Sequence, residues 1–152
     1  MPLHVEATAT SIAAPEVIFK HLAVAEAWNE WAGLPTRARR EKAGDERPNG
    51  VGAVRKIPPA RERVVVYDPP HRYGYVAVAG LPLRDYRAEV TLEPQGLGTG
   101  IRWQGSFEPL IPGTGGLAKF LMRRMLESFA RRIVQHAEKC EPGCPARLPD
   151  AI

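Results

Sequence analysis

The sequence lacks the features of a disulfide-stabilised or membrane-spanning protein. Only two of the 152 residues are cysteines, Cys140 and Cys144. No apolar stretch approaches the roughly 18 residues that a membrane span needs. The start, MPLHVEATAT, has no basic region followed by an apolar run, so it does not resemble a signal peptide. We therefore expect a cytoplasmic protein with no stable insertion into a membrane.

Motifs for metal binding and for nucleophilic catalysis are also missing. The two cysteines have only His136 near them in sequence, which makes a poor zinc site. We expect a free thiol pair in a loose tail, with a local disulfide or a metal ion as the alternatives. We interpret His21 and His71 as surface or turn residues, and the histidines show no H-x-x-x-H spacing. The G-x-S-x-G signature is absent as well, so we assign no cofactor, no metal and no catalytic residue.

The chain carries little excess charge. Its 21 basic and 17 acidic residues give a net charge of +4, which is small for a nucleic-acid-binding domain. The basic run TRARRE, residues 36–41, has no interleaved aromatic side chains on which bases could stack, so we interpret it as an outer sheet face. We expect no nucleic-acid partner.

Apolar periodicity predicts the order of the elements. Residues 4–12 alternate as a strand does, and Pro15 then suits the first turn of a short helix. A second short helix is predicted at residues 25–31 and a long one at residues 114–139. Six strand-like segments lie between them, at residues 36–43, 51–57, 61–67, 72–79, 84–92 and 99–107. This order predicts an α+β fold in which a curved antiparallel sheet of about seven strands wraps round one long C-terminal helix.

The predicted C-terminal helix has one broad apolar face. At about 100° per residue, eight residues fall on this face: Leu121, Met122, Met125, Leu126, Phe129, Ile133, His136 and Ala137. A strongly curved sheet contacts a single helix best along its middle. The space that remains between sheet and helix is a natural small-molecule site, and residues 108–116 are predicted to lie at one mouth of it.

Several stretches resemble one structural superfamily. They are SIAAPEVIFKHLA, AEAWNEWAG, GVGAVRKI, RVVVYDPPHRYGYVAVAG and GTGIRWQGSFEPLIPGTGG, followed by the long helix. In this order, residues 3–139 resemble the START-like or helix-grip superfamily, which includes the birch-pollen-allergen fold. They look most like its bacterial polyketide cyclase/dehydrase and lipid-transport-like group. The resemblance implies one ligand-binding domain over residues 1–140 and a flexible tail over residues 141–152.

The resemblance also implies that an apolar or aromatic molecule lies between the sheet and the helix. The residues expected to face it are Trp31, Arg55, Tyr73, Tyr75, Tyr86, Trp103, Phe107, Leu121, Met122, Met125 and Phe129. Ordinary core packing is the alternative for each aromatic residue. An inward Arg55 would bind a ligand carboxylate, phenolate or enolate, whereas a strand shift of one residue would turn it outward. Glu62 and Asp85 are the carboxylates best placed for acid–base chemistry, but we expect both to face solvent.

Three functions follow from this interpretation. We favour binding of a polyketide-, lipid- or isoprenoid-like molecule. The second is a polyketide cyclase, aromatase or dehydratase acting on a poly-β-keto chain. The third is a partner-binding module, and a homodimer is compatible with all three. A deep polar cavity would favour the enzyme, an apolar cavity would favour carriage, and a filled interior beside an exposed apolar patch would favour the partner module.

Overall fold

The computed structural model describes residues 2–140 and 142–147. Within them, the strands are β1 (Leu3–Ser11), β2 (Arg39–Lys42), β3 (Val54–Ile57), β4 (Ala60–Asp68), β5 (Arg72–Ala79), β6 (Leu83–Gln95) and β7 (Gly98–Pro109). The α-helices are α1 (Pro15–Ala23), α2 (Trp28–Trp31) and α3 (Gly115–Glu138), and two short 3-10 helices cover Ala25–Ala27 and Pro145–Arg147. The predicted helix-grip order of elements is confirmed. No helix in this described part has the length and apolar character needed to cross a membrane.

All seven strands form one antiparallel sheet in the order β1-β7-β6-β5-β4-β3-β2. The last strand in sequence therefore pairs with the first, and Trp103 of β7 lies opposite Ala7 of β1 on one side and Val90 of β6 on the other. Burial alternates along β7, with Ile101, Trp103 and Phe107 facing inward as predicted. One face of the sheet is thus apolar core and the other faces solvent.

Helix α3 packs across β1 and β7 and covers this inner face. Its fully or largely buried side chains are Met122, Leu126, Ala130, Ile133, Val134 and Ala137, at the three- and four-residue spacing of one helix face. The predicted face is therefore rotated slightly from the observed one. Leu121 is 55% exposed because it lies at the edge of the contact, in the first two turns of the helix.

Helices α1 and α2 close one end of the sheet. Ile18, Phe19 and Leu22 of α1 are completely buried. The indole Nε1 of Trp28 donates to the carbonyl oxygen of Leu22 over 3.0 Å, and that of Trp31 donates to the carbonyl oxygen of His21 over 3.2 Å. Carbonyls in the last turn of a helix have no intrahelical partner, so these two indoles satisfy the end of α1. A polar atom on each tryptophan thereby fixes how the two helices meet.

Two predicted segments differ from the structure in detail. The strand expected at residues 36–43 is shorter, and all of β2 is exposed at the sheet edge. The segment from Cys144 to Arg147, expected to belong to a flexible tail, contacts α1 and the Ala25–Ala27 helix. Cys144 is 5% exposed and Ala146 is 1% exposed, because both join a small apolar cluster there. Residues 148–152 of the expected tail lie outside the described residues.

Candidate functional site

An aromatic cluster occupies the interior between the sheet and α3. Trp28 and Trp31 come from α2, Trp103 from β7 and Phe129 from α3. The six pairs of ring centroids lie 4.5–6.3 Å apart, which is the usual separation of packed aromatic side chains. The three tryptophans are each 5% exposed or less. The cluster therefore fills space in which the sequence predicted part of a cavity.

A charged pair is buried beside this cluster. Arg55 of β3 and Glu62 of β4 are register partners, so their side chains leave the same face of the sheet. Arg55 Nε donates to Glu62 Oε1 over 3.2 Å, and Arg55 Nη1 donates to the Leu22 carbonyl oxygen over 2.5 Å. The guanidinium carbon lies 4.9 Å from the ring centroids of both Trp28 and Tyr73. Arg55 thus faces inward, and the expectation that Glu62 faces solvent is wrong, because it is 4% exposed.

Burial also determines the protonation of this region. It raises the pKa of Glu62 to about 7, although the charge of Arg55 and the hydrogen bond from it act in the opposite direction. It raises the pKa of Tyr73 and Tyr75 well above the ordinary value of a phenol, so both hydroxyls are protonated at neutral pH. Trp103 Nε1 donates to Tyr75 Oη over 3.3 Å, and the Tyr73 hydroxyl has no hydrogen-bond partner among the residues described. The region offers proton donors, but Glu62 and a backbone carbonyl already engage Arg55.

An apolar groove lies at the N-terminal end of α3. Its volume is about 300 Å³, and one wall is the connection from β5 into β6. The lining residues are Leu81, Pro82, Leu83, Thr114, Leu117, Ala118, Leu121, Met122 and Met125. Thr114 is the single polar residue among them, and its hydroxyl already donates to the Ile111 carbonyl oxygen over 2.5 Å. The groove can therefore hold an apolar molecule but offers little to recognise a charged one.

Two larger depressions have a different character. One of about 560 Å³ lies on the solvent face of β1, β6 and β7 and is lined by groups such as Thr8, Glu93 and Arg102. Another of about 630 Å³ lies in the loop that contains Asp45 and Arg47. Six of the ten residues that line the first are polar or charged, and three of the seven that line the second carry a charge, whereas small-molecule sites are mostly apolar with a few placed polar atoms. We therefore take the smaller groove at α3 as the candidate site.

Comparison with known proteins identifies the family. The family model described as "Polyketide cyclase / dehydrase and lipid transport" matches residues 2–138. The chain belongs to this family. A search of curated proteins found no match. By its description, the family includes proteins of lipid transport as well as polyketide cyclases and dehydrases.

Solved structures share the fold of this family member. A START superfamily protein from Mycobacterium smegmatis is similar with a TM-score of 0.78 at 15% identity, over 91% of this chain and 99% of that one. Ginseng major latex-like protein 151 from Panax ginseng is similar with a TM-score of 0.71 at 16% identity, over 90% of this chain and 98% of that one. A protein from Thermus thermophilus is similar with a TM-score of 0.64 at 19% identity, over 90% of this chain and 95% of that one. At such low identity, these similarities show the fold.

The structure divides the predicted site residues of this family member into two groups. The residues in or beside the packed interior are Trp31, Arg55, Tyr73, Tyr75, Tyr86, Trp103, Phe107 and Phe129. The residues that line the groove are Leu121, Met122 and Met125. The sequence analysis expected all eleven to face one ligand, and the structure holds them in these two places. Their roles as ligand contacts stay predictions, and Asp85 is exposed, as expected.

Several groove residues were missed by the sequence reasoning. Leu81, Pro82 and Leu83 were interpreted as a plain loop, and Leu117 was not placed on the apolar face of the helix. The signal that could have found them is the density of apolar residues in GLPL, at a turn where polar residues are usual. Residues 108–116, predicted to lie at a cavity mouth, contribute Thr114 to the groove.

Proposed function

We propose that this protein binds one elongated apolar molecule, of the lipid, isoprenoid or reduced polyketide type, in the groove at the N-terminal end of α3. The observation that carries this proposal is the lining itself, in which eight of nine residues are apolar. A volume of about 300 Å³ is at the lower end of the range for small-molecule sites. Such a site holds part of a long chain and leaves the rest at the surface.

The floor of the groove is adaptable. Met122 is 7% exposed and belongs to the core, and Met125 is partly buried and packs against it, so both reach from the groove towards the interior. Methionine is unbranched and polarizable, and it changes shape to fit different apolar surfaces at low cost. Rotation of these two side chains would lengthen the groove towards the interior. This adaptability supports a carrier with broad selectivity rather than a site shaped for one rigid molecule.

The rim of the groove exposes large apolar side chains. Leu117 is 64% exposed, Phe120 58% and Leu121 55%, and Ile111 in the preceding loop is 64% exposed. Grouped exposed apolar side chains of this size mark binding surfaces. Leu117 and Leu121 line the groove, and Phe120 and Ile111 are exposed close to them in the chain. We infer that these side chains support uptake from a lipid surface or from another protein.

Titration of an uncharged apolar fluorophore, such as N-phenylnaphthylamine, tests the proposal. Leu117→Glu adds a charge at the groove, and we expect the Kd to rise about tenfold or more, since burial of one leucine contributes about 1.5–3 kcal/mol. Leu97→Glu is the matched control because Leu97 is fully exposed in the turn between β6 and β7. It should leave the Kd within about twofold, on the scale of surface substitutions. Equal effects of the two variants would contradict the proposal.

The partner-binding alternative gives a different result in the same experiment. If the apolar rim is a protein interface, wild type should self-associate with rising concentration and Leu117→Glu should remain monomeric, with no change in fluorophore binding. Analytical ultracentrifugation of both variants separates these outcomes. Native mass spectrometry of protein purified from its own host adds an independent reading, because a carrier should retain a co-purified apolar molecule.

Acid–base catalysis is a second candidate, favoured by one observation. Glu62 has a pKa of about 7 through burial and lies beside the hydroxyl-bearing Tyr73 and Tyr75. A carboxyl group that titrates near neutral pH can both accept and donate a proton. Cyclisation or dehydration of a poly-β-keto chain needs such a group, together with a chain that reaches the interior. Loss of turnover in Glu62→Gln with unchanged fluorophore affinity would support the enzyme over the carrier.

A further inference from the structure

Four side chains with metal-binding atoms meet at the C-terminal end of α3, far along the helix from the apolar groove. They are His21, His136, Cys140 and Cys144, and one ligand atom from each lies within 4.8 Å of all the others. His21, Cys140 and Cys144 are buried and His136 is partly buried. Neither of these two cysteines takes part in a disulfide. A buried group of two thiols and two imidazoles has no part in the proposed binding of an apolar ligand.

The fold explains how these side chains come together. His136 lies in the last turn of α3 and Cys140 follows two residues after the helix ends at Glu138, so both side chains belong to the C-terminal end of the helix. Cys144 returns to this point through the short segment that leads into the Pro145–Arg147 helix. His21 comes from α1, which packs against both α3 and that last helix. The spacing H-x-x-x-C-x-x-x-C supplies three ligands from one segment and a distant helix supplies the fourth.

The imidazoles are oriented as metal ligands require. His21 Nδ1 lies 2.7 Å from the Val17 carbonyl oxygen, which can only accept a hydrogen bond, so Nδ1 carries the proton. His21 Nε2 therefore presents its lone pair to the two sulfurs, 3.3 Å from Cys140 Sγ and 3.7 Å from Cys144 Sγ. A backbone carbonyl that holds the second ring nitrogen is the usual outer partner of a metal-binding histidine. His136 Nε2 lies 3.7 Å from Cys144 Sγ.

The observed separations match a tetrahedral ion. Bonds of about 2.3 Å to sulfur and about 2.0–2.1 Å to nitrogen place the four ligand atoms roughly 3.3–3.8 Å from one another. The nitrogen–sulfur distances of 3.3, 3.7 and 3.7 Å fall in this range. The upper limit of 4.8 Å on the remaining pairs requires a contraction of at most about 1.5 Å, which side-chain torsions can supply.

We propose that His21, His136, Cys140 and Cys144 bind one Zn²⁺ ion. Two thiolates and two neutral imidazoles suit a soft or borderline ion in tetrahedral geometry and do not suit Mg²⁺ or Ca²⁺, which prefer oxygen ligands. Two thiolates also cancel the charge of Zn²⁺, so the filled site adds no net charge to a buried position. Arg147 adds two contacts at one of these ligands, because its Nε donates to Cys140 Sγ over 3.4 Å and its Nη2 donates to the Cys140 carbonyl oxygen.

The proposed site is structural. All four positions of the ion are filled by protein atoms, and catalytic zinc sites keep one position open for water or substrate. The ion would join α1, the end of α3 and the segment around Cys144, which belong to separate parts of the sequence. It thereby fixes the C-terminal end of α3 to the rest of the domain.

Titration with Co²⁺ tests the proposal on the full chain. Metal-free protein, reduced with a phosphine, should bind one equivalent of Co²⁺ with the intense visible and thiolate charge-transfer bands of a tetrahedral sulfur site. One equivalent of Zn²⁺ should abolish these bands, and Zn²⁺ should raise the Tm by several degrees because it binds the folded state. Weak bands of an octahedral ion, or no bands with both thiols shown to be reduced, would overturn the proposal.

Two variants make the test specific. Cys144→Ser should weaken binding by at least about 100-fold, since even outer partners of a zinc ligand contribute roughly 10- to 100-fold. His71→Gln is the control because His71 is an exposed histidine in the turn before β5, and it should bind Co²⁺ as wild type does. Far-UV circular dichroism establishes that each variant is folded. Unchanged Co²⁺ spectra in a folded Cys144→Ser would also refute the site.

Discussion

Replacement of Trp103 by alanine tests whether the interior is packed core or a cavity wall. Trp103 has no exposed surface and packs against Trp28, Trp31 and Phe129, with ring centroids 5.9, 6.3 and 5.6 Å away. Its Nε1 also donates to Tyr75. Truncation of a buried tryptophan costs about 3–5 kcal/mol. For a domain of this size, that loss lowers the Tm by roughly 6–20 °C.

The measurement is guanidinium unfolding followed by far-UV circular dichroism, because removal of a tryptophan changes the fluorescence itself. Trp103→Phe is the control. It keeps an aromatic ring in place and loses the donor to Tyr75, so we expect a cost of only about 1–2 kcal/mol. A loss below about 1 kcal/mol in Trp103→Ala, together with at least tenfold weaker binding of an apolar fluorophore, would show a cavity wall and refute core packing.

The remaining predictions concern the buried carboxyl group and the backbone. In the folded protein Glu62 keeps its proton up to a pH of about 7, whereas in the unfolded chain it loses the proton near pH 4.5. Between these two pH values, the free energy of unfolding of wild type should therefore fall as the pH rises. We expect it to fall by up to about 3 kcal/mol relative to that of Glu62→Gln. A constant difference in chemical unfolding between pH 4 and 8 would contradict the raised pKa. Gly80→Ala should cost at least about 2 kcal/mol, because Gly80 has a φ of +92° and an added Cβ would overlap the Pro59 carbonyl oxygen. Gly96→Ala, with φ +61° and open space around it, should cost less, and equal losses in thermal unfolding would count against the overlap.

The sequence was sufficient to predict those parts of the fold in which a periodic pattern of apolar residues follows directly from the geometry of a strand or a helix. Alternation along β7 placed Ile101, Trp103 and Phe107 on the inner face, because successive strand residues point to opposite sides. The long helix was predicted to within one residue at each end, at Gly115 and Glu138, since one apolar face persists through it. These features depend on near neighbours in the chain, which the sequence displays directly.

The sequence was insufficient where a side chain depends on a distant partner. Glu62 belongs to a polar strand pattern, and only its register with Arg55 across β3 and β4 gives its buried carboxyl group a partner. His21 lies 119 positions from Cys140, so no motif spacing could join them. The two cysteines were interpreted as a loose pair for the same reason, since the packing of α1 against the end of α3 creates their surroundings.

The two proposals place opposite demands on the ends of α3. Its first two turns expose Leu117 and Leu121 beside the apolar groove, and its later turns bury Leu126, Ile133 and Ala137 against the sheet. The buried middle of the helix separates the groove from the proposed metal site. A Zn²⁺ ion at the C-terminal end would fix that end to α1 and to the segment around Cys144, and no residue of the groove belongs to these elements. Removal of the metal should therefore lower the Tm while the fluorophore Kd at the groove stays within about twofold, since the two sites lie at opposite ends of one rigid rod.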